Sequence, residues 1–314
     1  MKTVKRRREL VISLTGGLGN QLFSFFAGLY FARILDRELI VDLGSVDKSH
    51  TQGQYDISSF DIKSKFVNER NVSSVLISLR NKLVGGRLKI PFVDDVLKVL
   101  FGDFLFMPGF DDIENANRVL GSMKPALLKR KRIKIGGYFA DLRYLDEIFI
   151  ESDFLQIKNP TKWFIENLKL LEIESSFASL HLRLGDFEQN SSSVGLLSAH
   201  YYNQAILEYR KIYPDMKLFV FSDDISGAKK LLSELNLSSI HYLSTPENSD
   251  PAESIVLMSK AKVAILSNST FGFMGAKLGS TKNLVIYPFP LHRDAVLEIR
   301  GIPTEWKPME SVWR

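Results

Sequence analysis

Apolar and polar positions fall along this chain in blocks of two periods. Leu10-Val11-Ile12-Ser13-Leu14 is a short apolar run suited to a buried strand, and it passes through Gly16-Gly17-Leu18-Gly19 into a stretch with Leu22, Phe25, Phe26, Leu29 and Tyr30 at helical spacing. A second run, Leu39-Ile40-Val41, follows, so the chain opens as a βαβ unit and starts an open parallel sheet. Residues 45 to about 130 break the pattern into short apolar runs among polar and basic stretches, which predicts several helices without clear bounds. From about residue 176 the alternation sharpens. Strands are expected at Phe177–Leu180, Leu218–Phe221, Ile240–Leu243, Val263–Leu266 and Leu284–Tyr287, with helices around 201–212, 226–235, 252–260 and 272–279, which is a second βα domain of doubly wound type. Lys158-Asn159-Pro160 interrupts the pattern between the halves, because proline disfavours helix in the residue before it; the expected domains are 1–155 and 156–314.

Composition narrows the chemistry. The 314 residues are 45% hydrophobic, a globular balance, and at roughly 150 residues per domain the length suits two domains with cores of their own. Cysteine is absent, which excludes disulfides, thiol nucleophiles and cysteine-ligated metals. The five histidines, His50, His181, His200, His241 and His292, are scattered without metal-ligand spacing, so no metal site is expected. The net charge of +5 is concentrated in Lys5-Arg6-Arg7-Arg8 and Lys129-Arg130-Lys131-Arg132, with more basic residues between Arg80 and Lys89. Two readings of these runs stay open: solvated surface, or an anionic partner such as phospholipid headgroups or phosphates. Nucleic acid is not expected, since no recognition module accompanies the charge. The apolar stretch after the basic start is too short for a signal sequence or membrane span, so a cytoplasmic protein is expected.

Ligands of open α/β sheets lie beyond the carboxyl ends of the strands, so the residues just after each strand carry the information. The glycine cluster lacks the third glycine of a dinucleotide fingerprint, Leu22 standing there, and no P-loop lysine follows. It can still turn tightly and present amide N–H groups to an anion or sugar oxygen, with Asn20 and Gln21 beside it; a plain strand-to-helix turn is the alternative. His181, Arg183 and Asp186 follow the next strand. Arg183 offers a planar, permanently charged fork for phosphate oxygens and would stabilise charge growing on a departing diphosphate. Asp186 could accept a proton from an attacking hydroxyl or only orient its neighbours. Ser222-Asp223-Asp224 suits a ribose or guanine edge, or caps a helix. Ser267-Asn268-Ser269-Thr270 opens the last long helix with hydroxyls and an amide where a diphosphate would sit.

Taken in order, Gly16-Gly17-Leu18-Gly19-Asn20-Gln21-Leu22-Phe23, the segment from His181 through Arg183 to Gly185-Asp186, Phe221-Ser222-Asp223-Asp224, and Leu257-Met258-Ser259 with Ser267-Asn268-Ser269-Thr270-Phe271 resemble the α-1,2-fucosyltransferases of glycosyltransferase family 11. Gly136-Gly137-Tyr138-Phe139 resembles that family's mid-chain segment. The resemblance implies an α/β fold of GT-B type, two Rossmann-like βα domains facing a central cleft. It implies GDP-β-L-fucose as donor, a galactoside hydroxyl of a glycan or lipid-linked oligosaccharide as acceptor, inversion at the anomeric carbon, and no required metal or other cofactor. No Asp-x-Asp triplet occurs in the chain, in keeping with the last point. Arg183, His181 and Asp186 match the catalytic motif. Gly17, Gly19, Asn20, Gln21, Arg183, Ser222, Asp223, Asp224, Ser267, Asn268, Ser269, Thr270 and Phe271 form the implied donor-binding set, with acceptor binding assigned to the N-terminal half. The chain departs from the family at Leu184, where a second arginine is usual, at Phe187 for tyrosine, at Ser254 for aspartate, and through the run Thr270-Phe271-Gly272-Phe273-Met274-Gly275-Ala276-Lys277. A surface glycan as product would put the enzyme near the inner face of the membrane, where the basic runs offer peripheral contact. Another GDP-deoxyhexose, another linkage such as α-1,6, or a non-catalytic GDP-sugar-binding protein are the alternative readings.

Overall fold

The computed structural model of the chain describes residues 8–44, 46, 57–68, 104–110, 112–122, 130–148, 154–185, 194–233, 235, 240–246, 249–279, 282–294 and 298–314. The chain forms two compact units, one of residues 1–58 and 62–151, the other of residues 59–61 and 152–314. Most of the stretch from 45 to 130, the basic residues Lys5-Arg6-Arg7 and those between Arg80 and Lys89 lie outside the described residues.

The first unit is a five-stranded parallel sheet in the order β3-β2-β1-β5-β4, with β1 at Glu9–Ser13, β2 at Glu38–Asp42, β3 at Lys65–Val67, β4 at Phe104–Phe110 and β5 at Arg132–Tyr138. Helix α1, Leu18–Ile34, carries Leu22, Phe23, Phe25, Phe26, Tyr30 and Phe31, all buried. Each fully buried side chain of that size stabilises the fold by about 1.5–3 kcal/mol, so the helix is held by packing all round rather than along one stripe. Two short helices complete the described part, α2 at Ile113–Ser122 and α3 at Arg143–Asp146. Buried Asp141, just beyond β5, anchors both: its carboxylate accepts from Ile113 N at 3.0 Å and from Arg143 N at 3.0 Å. A second buried acid, Asp42 at the end of β2, accepts from Lys134 Nζ at 2.7 Å and from Gly44 N at 2.9 Å.

The second unit is a six-stranded parallel sheet in the order β11-β10-β9-β6-β7-β8. Its strands are β6 (Ala178–Leu182), β7 (Leu218–Ser222), β8 (Ile240–Tyr242), β9 (Val263–Ile265), β10 (Leu284–Phe289) and β11 (Lys307–Glu310). Counted from β6, this is the doubly wound order 3-2-1-4-5-6, whose topological switch point lies between β6 and β9. The helices are α4 (Lys162–Glu174), α5 (Ala199–Ile212), α6 (Ile225–Ser233), α7 (Pro251–Ser259) and α8 (Thr270–Lys277). The core joins Leu180, Leu182, Val220, Val263 and Ile265 of the sheet to Tyr201, Tyr202, Ala205, Ile206 and Tyr209, one face of α5. Tyr201 places its only polar atom on the backbone, donating to Leu266 O at 2.7 Å, which ties α5 to the carboxyl end of β9. Glu253, buried on α7, accepts from Thr161 N at 2.6 Å and Thr161 Oγ1 at 2.8 Å, and the same hydroxyl caps α4.

Both units are thus Rossmann-like, all-parallel βα folds, the pair of units expected for the GT-B type. Among the described residues no helix is long and apolar enough to cross a membrane.

Candidate functional site

The switch point of the second sheet gathers three of the four polar clusters. β6 pairs with β7 on one side and β9 on the other, so the residues after all three strands emerge side by side at one edge. Strand β6 ends at Leu182 and delivers Arg183 next to Asp223, the residue after β7. Arg183 Nη1 lies 3.0 Å from Asp223 Oδ2, and Asp223 Oδ1 accepts from Leu184 N at 2.9 Å. One carboxylate therefore fixes both the charge and the backbone of the turn after β6. Gly185 leaves room for this: a β-carbon there would stand 2.8 Å from Asp223 Oδ2. The side chains of Arg183 and Asp223 keep 17% and 25% exposure, so the guanidinium is braced yet reachable by solvent and ligand.

On the β9 side, His181 Nδ1 lies 2.8 Å from Ser267 Oγ, both side chains buried. Burial, reinforced by the Arg183 charge, pushes the imidazole pKa down to about 3, so it is neutral at physiological pH. A neutral ring hydrogen-bonded at Nδ1 has one further polar atom, Nε2, whose role as donor or acceptor is set by the direction of the Ser267 bond. The Phe271 ring lies 5.4 Å from the imidazole at a tilt of 30°. Gly272 is required by this packing, because a β-carbon there would come within 2.8 Å of His181 Nδ1.

The remaining residues of the expected set divide between ligand-facing positions and the protein's own scaffold. Ser269 caps α8, its Oγ accepting from Phe271 N, and Thr270 and Phe271 form the first turn, half-buried. Asn268 is buried, and its Nδ2 donates to Gly195 O at 3.0 Å and Val194 O at 3.3 Å, so its amide holds a loop. Asp224 caps α6 through Gly227 N at 2.9 Å, and Ser222 Oγ closes a turn with Asp224. Asp186 lies outside the described residues.

In the first unit, Gly17 is the N-cap of α1, so Gly19, Asn20 and Gln21 belong to its first turn. Gly16 adopts φ +73°, a conformation that favours glycine. Gln21 is buried and engaged at both ends: Nε2 donates to Gly16 O at 2.9 Å and Oε1 accepts from Ile57 N at 3.2 Å. The cost of burying this amide is met by the backbone. Among the described residues no group of three His, Asp or Glu side chains is placed to hold a metal ion.

Sequence reasoning did not single out Gly272, Gly195 or Trp313, each of which packs against this edge or its loop. Their signal is spatial. Gly272 was visible only as a departure from the family pattern.

The model of the family described as glycosyl transferase family 11 matches residues 135–306. Two curated Escherichia coli proteins align over most of their length. One, named alpha-1,2-colitosyltransferase, is 25% identical over 96% of this chain and 99% of its own. The other, named O-antigen biosynthesis glycosyltransferase WbnK, is 25% identical over 87% of this chain and 91% of its own. A solved structure of the fucosyltransferase NodZ from Bradyrhizobium superposes with a TM-score of 0.48 at 14% identity, covering 86% of this chain and 92% of that one.

Proposed function

Because the chain belongs to glycosyl transferase family 11, we propose that it moves L-fucose from GDP-β-L-fucose, with inversion, to a galactoside hydroxyl, O2 by preference, of a surface glycan such as an O-antigen. The observation that carries this reading is the Arg183–Asp223 pair beside His181–Ser267 at the switch point of the second sheet, within the matched residues.

In a single displacement the acceptor oxygen attacks the anomeric carbon as the bond to the β-phosphate oxygen breaks. Negative charge grows on the leaving GDP, and the acceptor hydroxyl loses its proton. Arg183 meets that charge with a fork held in place before the reaction, and N–H groups of the first turn of α8 add to it. A fixed guanidinium does here what a divalent cation does elsewhere, so the reaction runs without metal. Asp186, three residues beyond Arg183 in the chain, is the proposed proton acceptor. The second unit binds GDP and the first unit serves the acceptor. The second reading, a different GDP-deoxyhexose as donor, is favoured by the relative named for colitose, which matches nearly end to end.

GDP release measured with GDP-fucose and GDP-colitose against a panel of β-galactosides, with the product linkage assigned by NMR, tests both readings. Turnover with GDP-fucose and an α-1,2 product is expected. Turnover with GDP-colitose alone selects the second reading, and GDP-sugar binding without transfer to any acceptor defeats both.

A further inference from the structure

The segment Val194–Ser198, which leads into α5, is held from several directions. Asn268 Nδ2 donates to Val194 O and Gly195 O, and Arg293 N donates to Val194 O at 3.2 Å. From the other side comes the segment after β11. Ser198 N donates to Val312 O at 2.8 Å, Arg314 N donates to Leu196 O at 2.9 Å, and Leu197 and Trp313 form an antiparallel bridge. The Trp313 indole lies flat on Gly195, where a β-carbon would stand 2.5 Å from Cε3, and Gly195 itself has φ +81°. Arg293 Nη2 closes the arrangement by donating to Arg314 O at 2.9 Å.

From these contacts we propose that Trp313 is a positioning residue for donor binding: its ring, seated on Gly195, holds residues 194–195 against the Asn268 amide and so fixes the turn from Ser267 to Thr270, which partners His181 at one end and opens α8, the helix start assigned above to a nucleoside diphosphate, at the other. A turn fixed before binding loses less conformational entropy when the ligand arrives, so Trp313 acts on affinity without touching the ligand. Asn268 belongs to the same device. Its side chain serves the site by gripping Val194 and Gly195.

The proposal rests on the second unit being the donor-binding unit, and its test keeps the two ideas apart. Calorimetric titration of GDP into wild type, Trp313→Ala and Trp313→Phe, well below each melting temperature, is expected to show about tenfold weaker binding for Trp313→Ala and near-wild-type binding for Trp313→Phe, whose ring still covers Gly195. Wild-type GDP affinity in Trp313→Ala, even with a lowered melting temperature, would reduce Trp313 to a packing residue and overturn the proposal. If that variant does not fold, Trp313→Leu, which removes the aromatic ring but keeps an apolar side chain, is read in the same way. Hydrogen exchange on the ligand-free proteins supplies the independent arm. The amides of Ser198 and Arg314 should exchange faster in Trp313→Ala, and unchanged exchange overturns the brace whatever GDP does. Failure of wild type itself to bind GDP removes the donor reading and leaves the brace to be judged by exchange alone.

Discussion

Removal of the Arg183 guanidinium should cost far more in rate than in stability, and Asp223 should matter almost entirely through Arg183. Arg183→Ala withdraws the charge aimed at the leaving diphosphate, a loss on the order of 3–4 kcal/mol, or roughly a hundred- to a thousandfold in turnover. The stability cost is smaller. With side-chain exposures of 17% and 25%, the pair lies between surface ion pairs and buried ones, so breaking it should lower stability by about 1–2 kcal/mol. Asp223→Asn keeps an oxygen for Leu184 N but weakens the hold on the guanidinium, and about tenfold slower turnover is expected. In a double-mutant cycle, adding Asp223→Asn to Arg183→Ala should change the rate little, because the residue that Asp223 positions is already gone. Single-turnover GDP release from GDP-fucose, beside thermal melting of all four proteins, measures these quantities. Full activity in Arg183→Ala, or rate losses that simply multiply, would rule out these roles for Arg183 and Asp223.

Activity should survive EDTA, and abolition by chelator with rescue by a divalent ion would reject the metal-free mechanism. His181 should make the fold sensitive to acid: the unfolded chain protonates its imidazole near pH 6.5 and the folded chain only near 3, so this contribution to stability is complete above about pH 6.5 and is lost as pH falls toward 3. His181→Gln should flatten the melting temperature between about pH 6.5 and pH 4, and an unchanged slope would contradict the buried neutral ring. Glu253→Ala should lower stability by about 2–4 kcal/mol by stranding the N–H and hydroxyl of Thr161, whereas Glu253→Gln, which retains shape and an acceptor, should cost about 1 kcal/mol; equal losses by denaturant melts would argue against the contact.

The strands of the second sheet from β6 to β10 were legible because each is a short buried apolar run bounded by polar turns. β11 was not, since Lys307-Pro308-Met309-Glu310 is an exposed edge strand with a proline and no alternation. In β5 the alternation of buried Ile133 and Ile135 with Lys134 was present, but the lysine reads as surface until its ion pair with Asp42, across β1 on β2, is seen. The site residues stood out because strand ends carry function in such sheets. Their partners did not: Ser267 meets His181 across 86 positions and Asp223 meets Leu184 across 39, and these pairings follow from strand order, which periodicity does not reveal. The same blindness explains Gln21 and Asn268, which read as ligand groups because they stand just beyond strand ends, and whose amides are engaged by backbone distant in sequence or in the turn.

Hydrogen exchange of the whole chain with and without saturating GDP reads out whether the donor is held at the β6–β9 switch point of the second unit. GDP should protect the segments around 181–185, 222–224 and 267–272 and leave the strand and helix amides of the first unit unchanged. Protection confined to the glycine loop at 14–21 and the carboxyl end of β5, with the second unit unaffected, would place the donor in the first unit instead.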